Sequence, residues 1–302
     1  MSKRIKNILI YQRDKSSYGA AGDNATRFLV SKEHRDEMGR TIALVTLNQA
    51  GAEEERTLRT YDASDRLVEE VVEHVLIDTI DKRVIRYNDV ERTSEEVQYY
   101  GDDPGEKTVT RFDDKGHVIE LAKYDGDTGE LISLQRFGYN EKGLPSLDEE
   151  YDEDETLVKR TVTLYDDTGR MIRQEVSFPH APDDNHVVTF HYEEGKTTEE
   201  ARSAEGQLFY SQVAVLDDRG RETEVSRWNE FDSGDSWRET YEYDDQGHVL
   251  LREHYSGAGD LLYRYQLTYE DGLLSEEGRF LTPRYVGEAR HTIRSFEYEF
   301  YD

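Results

Sequence analysis

Carboxylates are the most abundant groups in this chain that could do chemistry: Asp and Glu total 67 of 302 residues. The densest group is Glu149-Glu150-Tyr151-Asp152-Glu153-Asp154-Glu155, and Asp125, Asp127 and Glu130 around Gly129 have the look of a calcium loop. An EF-hand site needs alternating oxygen ligands closed by a bidentate Glu at about the twelfth position. Counted from Asp125 that residue is Arg136, so the pattern fails and a plain turn accounts for the acids. Two carboxylates ~5–10 Å apart could hydrolyse a glycoside, but so many acids make such pairs inevitable by chance. The densest histidines are His180, His186 and His191. On a strand His186 and His191 fall on opposite faces, which argues against a three-His metal site. There is no phosphate loop, nucleophile elbow or His-Glu-x-x-His helix. Cysteine is absent, so thiolate chemistry and disulfides are excluded. These residues assign no catalytic group, metal or cofactor, and the expectation is a protein that binds rather than catalyses.

Aromatic side chains are the second resource, with 21 Tyr, 10 Phe and 2 Trp. Trp228, Trp237, Tyr241, Tyr263 and Tyr265 are the candidate binding residues, because large amphipathic rings can contact a polypeptide or stack on sugar. They recur with period two. Tyr263, Tyr265, Leu267 and Tyr269 share one parity, with Arg264, Gln266 and Thr268 on the other; Trp237, Tyr241 and Tyr243 alternate with Arg238, Thr240 and Glu242. Such alternation predicts half-buried strands. Burial within the sheet is the competing role for the same rings.

What positions them is a repeated phrase: an aromatic, Asp or Asn, polar residues, Gly, then usually a basic residue. Phe112-Asp113-Asp114-Lys115-Gly116-His117, Tyr165-Asp166-Asp167-Thr168-Gly169-Arg170, Leu216-Asp217-Asp218-Arg219-Gly220-Arg221 and Tyr243-Asp244-Asp245-Gln246-Gly247-His248 are four copies. Glycine-equivalent positions fall at 39, 65, 91, 116, 143, 169, 195, 220, 247 and 272, with steps of 25 to 27 residues. Asp can accept hydrogen bonds from backbone N–H groups two residues on, and Gly supplies a positive φ. Asp113, Gly116, Asp166, Gly169, Asp217, Gly220, Asp244 and Gly247 are therefore read as turn residues. A second, more variable turn lies midway, as at 102–105, 125–129, 179–184, 204–206, 232–235 and 256–259.

A turn about every 13 residues leaves strands of about eight or nine residues, and short loops permit only antiparallel neighbours. The expected fold is all-β: an antiparallel meander of about 22 strands, built from about ten 26-residue hairpin repeats. At ~4.8 Å per strand it would extend roughly 100 Å, so it should curl into a spiral, shell or wide barrel-like sheet. Residues 1–302 are expected to form one continuous β-repeat domain. Within it, 1–30 are N-terminal capping strands, 31–281 the repeats and 282–302 a C-terminal capping strand. The basic start Met1-Ser2-Lys3-Arg4 precedes an apolar run too short for a signal peptide, and no stretch approaches the ~20 apolar residues of a membrane helix. The expectation is a cytoplasmic location, unless a signal-independent secretion system exports the chain.

Lys and Arg number 38, giving a formal charge of −29. That is unsuited to the phosphate backbone of nucleic acids and favours a cationic protein partner.

The phrases Tyr241-Glu242-Tyr243-Asp244-Asp245-Gln246-Gly247-His248 and Leu164-Tyr165-Asp166-Asp167-Thr168-Gly169-Arg170 resemble the YD repeats of the Rhs family, over residues from about 35 to 275. In that family such repeats form a spiralling β-sheet shell around a toxin domain. The resemblance implies the same strand-turn-strand unit in a small stand-alone member. The period here is longer than the family's, and no toxin domain is recognisable after the repeats. The functional expectation is a non-enzymatic protein-binding scaffold, with an immunity factor or chaperone for a basic toxin or secreted cargo as its narrower form. Two alternatives remain: a carbohydrate-binding or surface-structural repeat protein, and an enzyme with an undetected carboxylate pair. The partner's identity and the oligomeric state are left open by the sequence.

Overall fold

The alternating segments form 22 strands in an antiparallel meander, so the chain is all-β. The structure, a computed structural model, describes residues 4–15, 26–231, 233–286 and 289–302. Residues 1–3 and 16–25 of the expected N-terminal capping segment, and Asp232 of the expected turn at 232–235, lie outside the described residues.

In chain order the first seven strands are β1 (Ile5–Lys15), β2 (Phe28–Arg35), β3 (Thr41–Leu47), β4 (Glu53–Tyr61), β5 (Leu67–His74), β6 (Thr79–Asn88) and β7 (Thr93–Tyr100). There follow β8 (Asp103–Phe112), β9 (Val118–Asp125), β10 (Leu131–Tyr139), β11 (Pro145–Tyr151), β12 (Leu157–Tyr165), β13 (Met171–Ser177) and β14 (His186–Glu193). The last eight are β15 (Lys196–Ser203), β16 (Leu208–Leu216), β17 (Glu222–Asn229), β18 (Trp237–Tyr243), β19 (Val249–Ser256), β20 (Leu261–Glu270), β21 (Leu273–Leu281) and β22 (Arg290–Phe300). A four-residue helix, Pro283–Val286, precedes β22 where the sequence suggested only a strand.

The chain divides into two compact units. One comprises Met1–Thr57, Tyr192–Thr198 and Tyr210–Asp302; the other comprises Leu58–His191 and Glu199–Phe209. In the second unit β5 to β14 pair in sequence order, each antiparallel to the next. In the first unit β16 to β22 do the same. That ladder continues from β22 into β1, from Ile5 opposite Phe300 to Lys15 opposite His291, and on through β2 to β3. The chain's terminal strands are thus joined to each other, which removes two edges that would otherwise invite foreign strands.

No thick core supports these ladders. Among the described residues the buried apolar ones are small or branched (Val97, Ala122, Leu134, Val188, Ala201, Ala214, Val225 and Ile293), and no large side chain is fully buried. Order comes instead from the phrases. In Tyr165 to Arg170, Asp166 Oδ1 accepts from the N–H groups of Thr168 and Arg170, both at 2.9 Å. Its Oδ2 accepts from Arg170 Nε at 2.8 Å, and Gly169 takes φ +90°. The same bonds recur at Asp113, Asp217 and Asp244, where Gly116, Gly220 and Gly247 have φ of +86°, +78° and +97°. The bonds from Thr168 and Arg170 hold the Asp166 carboxyl far below its ordinary value.

Successive phrases are fastened together. The tyrosine opening one phrase donates its hydroxyl to a backbone carbonyl just after the previous phrase: Tyr87 to Leu67, Tyr139 to Val118 at 2.7 Å, Tyr165 to Pro145 and Tyr243 to Glu222. The basic residue of the earlier phrase lies on that ring. Arg66 sits 4.2 Å from the Tyr87 centroid and Arg221 4.4 Å from Tyr243, while His117 and His248 stack on Tyr139 and Tyr269 at 4.5 Å.

Two expected turns move. Tyr100 pairs with Asp103, so the loop expected at 102–105 lies at Gly101-Asp102, and Pro104 and Gly105 belong to β8. A register shift between Val97 and Tyr99 interrupts the ladder there, at a place where a residue without an N–H is tolerated. In the phrase beginning Asn88 the left-handed residue is Arg92 (φ +54°), not Glu91. The sequence placed it one residue early because no glycine marks it.

Glycine's conformational freedom can be tested in both directions. A methyl at Gly169 would meet only Leu144 Cδ1 at 3.5 Å, so Gly169→Ala should cost about 1–2 kcal/mol through backbone strain alone. Glu155 occupies an equivalent conformation (φ +55°) with one long ion pair to Arg136 at 3.9 Å. Glu155→Gly should stabilise by up to about 1 kcal/mol. Urea midpoints that shift in the same direction for both variants would contradict this account.

Candidate functional site

Glu239 breaks the pattern of its own strand. It shares parity with Trp237, Tyr241 and Tyr243 and so projects from the aromatic face, yet it is only 7% exposed. The ladder explains how it is accommodated. Glu239 lies opposite His254, which lies opposite Tyr263, and Arg252 lies opposite both Tyr241 and Tyr265. Three strands therefore bring donors to one carboxylate. Oε1 accepts from Arg252 Nη2 at 2.7 Å and Tyr263 Oη at 2.5 Å, and meets His254 Nδ1 at 3.1 Å. The Tyr241 hydroxyl donates to Oε2. Arg252 also donates to the Tyr263 hydroxyl at 3.2 Å, closing the network.

Burial pushes the Glu239 carboxyl up, but the bonds from Arg252, Tyr241 and Tyr263 outweigh it and hold the group down at about 2. Burial and the adjacent carboxylate push the Tyr241 hydroxyl up to about 12 and the Tyr263 hydroxyl higher still. Glu239 is therefore permanently ionised, and the tyrosines permanently protonated, at neutral pH. Such a group is a poor general acid or base, because that role needs a pKa near the working pH.

Beside this hub the rings form a ladder of their own. Trp237 tilts against His254 at 5.7 Å, His254 stacks parallel on Tyr263 at 4.8 Å, and Tyr263 meets Tyr265 and Tyr285 edge-on at 5.4 and 5.7 Å. Next to Trp237 and His254 is an open groove of about 340 Å³. Its other walls are Arg227, Gly234, Asp235, Ser236, Ser256 and Leu262.

Of the five aromatic residues singled out from sequence, Trp237, Tyr241, Tyr263 and Tyr265 share this face. Trp228 does not. Its neighbour Arg227 pairs with Trp237, so Trp228, 49% exposed, points from the opposite side of the sheet. The sequence reading missed Glu239, Arg252, His254 and Arg227. One signal was available: Glu-x-Tyr on a strand, which sets a hydroxyl on the preceding carboxylate. Glu253 with Tyr255 and Glu149 with Tyr151 repeat the contact at 2.7 and 2.9 Å.

Among the described residues no group of His, Asp and Glu is arranged to hold a metal ion. The suspected calcium loop is a turn in which Asp125 Oδ1 accepts from Asp127 N, Thr128 N and Thr128 Oγ1. His186 contacts the Asp184 carbonyl and packs between Phe178 and Phe209. No described helix is long and apolar enough to cross a membrane.

No protein-family model and no curated protein matches the chain. Among solved structures, the crystal structure of TcdB2-TccC3-Cdc42 aligns with a TM-score of 0.34 and 14% identity, over 97% of this chain and 20% of that one. The structure of TcdB2-TccC3 aligns with a TM-score of 0.32 and 14% identity, over the same shares of the two chains. This chain thus spans about a fifth of the length of those toxin chains. A porin-like protein from Bacteroides uniformis aligns with a TM-score of 0.32 and 11% identity, over 99% of this chain and 98% of that one. These likenesses are weak and assign the chain to no family.

A group whose folded pKa is depressed stabilises above its unfolded value and loses that contribution as pH falls through the folded one. Glu239→Gln should therefore cost about 1.5–3 kcal/mol at pH 7. The gap to the parent protein should narrow as pH drops from about 4.5 toward about 2. Urea midpoints across that range test this; a gap that stays constant would refute the assignment.

Proposed function

We propose that this chain is a non-enzymatic binding protein that receives a cationic polypeptide along one edge of its second unit. The supporting observation is the composition of that edge. The loops at 75–78, 101–102, 126–130, 152–156 and 178–185 join alternate hairpins of β5 to β14, so they share one edge, and they contain no Lys or Arg. They carry Asp78, Asp102, Asp127, Glu130, Glu153, Asp154, Asp183 and Asp184, all exposed and none with an ion-pair partner among the described residues. At the first two of these loops Val75, Leu76, Ile77 and Tyr100 are exposed by 46 to 70%. An apolar patch bordered by unneutralised carboxylates is the chemistry of a protein-docking surface.

Successive loops along the edge are two strands apart, about 10 Å. An extended peptide rises about 3.3 Å per residue, so a cation at every third position keeps pace with the carboxylates. An immunity factor or chaperone that masks a basic toxin or secreted cargo is the narrower form of this reading.

The test uses a labelled peptide of repeated Lys-Gly-Ser and its Glu-Gly-Ser counterpart, titrated at low and moderate salt. The lysine peptide should bind, weaken with salt as exposed charges are screened, and lose about 10-fold in affinity when Glu153, Asp154, Asp183 and Asp184 become amides. Equal binding of the two peptides, or indifference to the four substitutions, would overturn the proposal.

A further inference from the structure

The groove beside Trp237 contains a charge with no counter-ion among the described residues. Arg227 is half-buried, and its guanidinium lies over the Tyr210 ring, 3.8 Å from the centroid. No described carboxylate lies within ion-pair distance of it, in a chain with 67 acids and 38 bases. Elsewhere on these strands the arginines are neutralised, as in Arg252 with Glu239, Arg264 with Glu253 and Arg238 with Glu224. Arg227 lies directly opposite Trp237 across the β17–β18 ladder, so cation and indole are neighbours on one wall. The groove's Asp235 meets Asn229 Nδ2 at 3.4 Å and keeps acceptor capacity. His254 is held through Nδ1 by Glu239, and no described group bonds its Nε2.

We propose that this groove binds a pyranose bearing a carboxylate, a uronic-acid type of sugar. The ligand's carboxylate pairs with the Arg227 fork, which suits planar bidentate partners. Its C–H face rests on Trp237, and its hydroxyls donate to Asp235 and exchange hydrogen bonds with His254 Nε2. A bare anion would find the cation but face Asp235 and leave the indole uncovered. A neutral sugar would cover the indole and leave the cation unpaired. Only a ligand with both features matches the walls, and a volume of about 340 Å³ admits one or two rings. The site lies in the first unit and is independent of the acidic edge of the second.

Tryptophan fluorescence reads the site directly. The chain has two tryptophans, and Trp228→Phe leaves Trp237 as sole reporter. In that background, methyl β-glucuronide, methyl β-glucoside and acetate are titrated in parallel, with ligand-observed NMR as a second readout. The glucuronide should bind saturably, with the glucoside and acetate each about 10- to 100-fold weaker, the range for losing a charge-assisted contact. Arg227→Gln should erase the preference for glucuronide over glucoside without moving the urea midpoint. Acetate matching the glucuronide would reduce the site to an anion site and overturn the proposal. Equal affinity for the two sugars, no binding of either, or an unchanged preference in Arg227→Gln would overturn it as well.

Discussion

The tyrosines that open the phrases at Tyr87, Tyr139 and Tyr243 do two things at once. Each hydroxyl ties the backbone one phrase back, and each ring supports that phrase's basic side chain, whose other contact is the turn aspartate. At Tyr139 these are the Val118 carbonyl and His117, itself bonded to Asp113. A turn is thus locked locally by Asp and Gly, and locked to the next turn by Tyr. Stability built from a repeat and its nearest neighbours is the logic of linear arrays. It explains how a chain with 35% hydrophobic residues dispenses with large buried side chains.

The same economy governs charge. Many acids serve as turn acceptors or partners of arginine, and those are the carboxylates held below their ordinary values: Asp36, Asp62, Asp113, Asp217 and Asp244 at turns, Glu239 and Glu253 on strands. Arginines are spent on the phrase edge and across strands, while the loops on the other edge of the second unit contain none and are reached only by the long Arg136–Glu155 pair. The net charge of −29 is therefore local in its consequences. It is neutralised where it orders the sheet and left bare where loops meet solvent.

Turn chemistry was the legible part of the sequence, because Asp and Gly act within five residues of each other and need no knowledge of the fold. Strand count and antiparallel order followed. Asp65 was placed correctly without a glycine (φ +66°), whereas the left-handed residue at Arg92 and the turn shifted by a bulge at Pro104 were not. The hub was hidden for a related reason. Glu239, His254 and Tyr263 align only through two cross-strand registers, and shifts between Glu242 and Tyr243 and between His254 and Tyr255 set those registers. Parity alone can say that Glu239 sits on an aromatic face, but not that Arg252 waits there. Trp228 shows the converse. Its ring type suggested a partner for Trp237, yet the neighbouring Arg227 fixes it on the other side.

Glu239 and Arg227 are two outcomes of placing charge on the same face. The carboxylate collects Arg252, His254 and two tyrosines and so fixes the orientation of His254 and Tyr263. The guanidinium has a ring beneath it and no described anion within ion-pair distance, so its hydrogen-bonding capacity is unspent on described carboxylates. An internally bonded hub next to a cation with no described anion is the division of labour that a binding site requires: the first orders the wall, and the second leaves something for a ligand to complete.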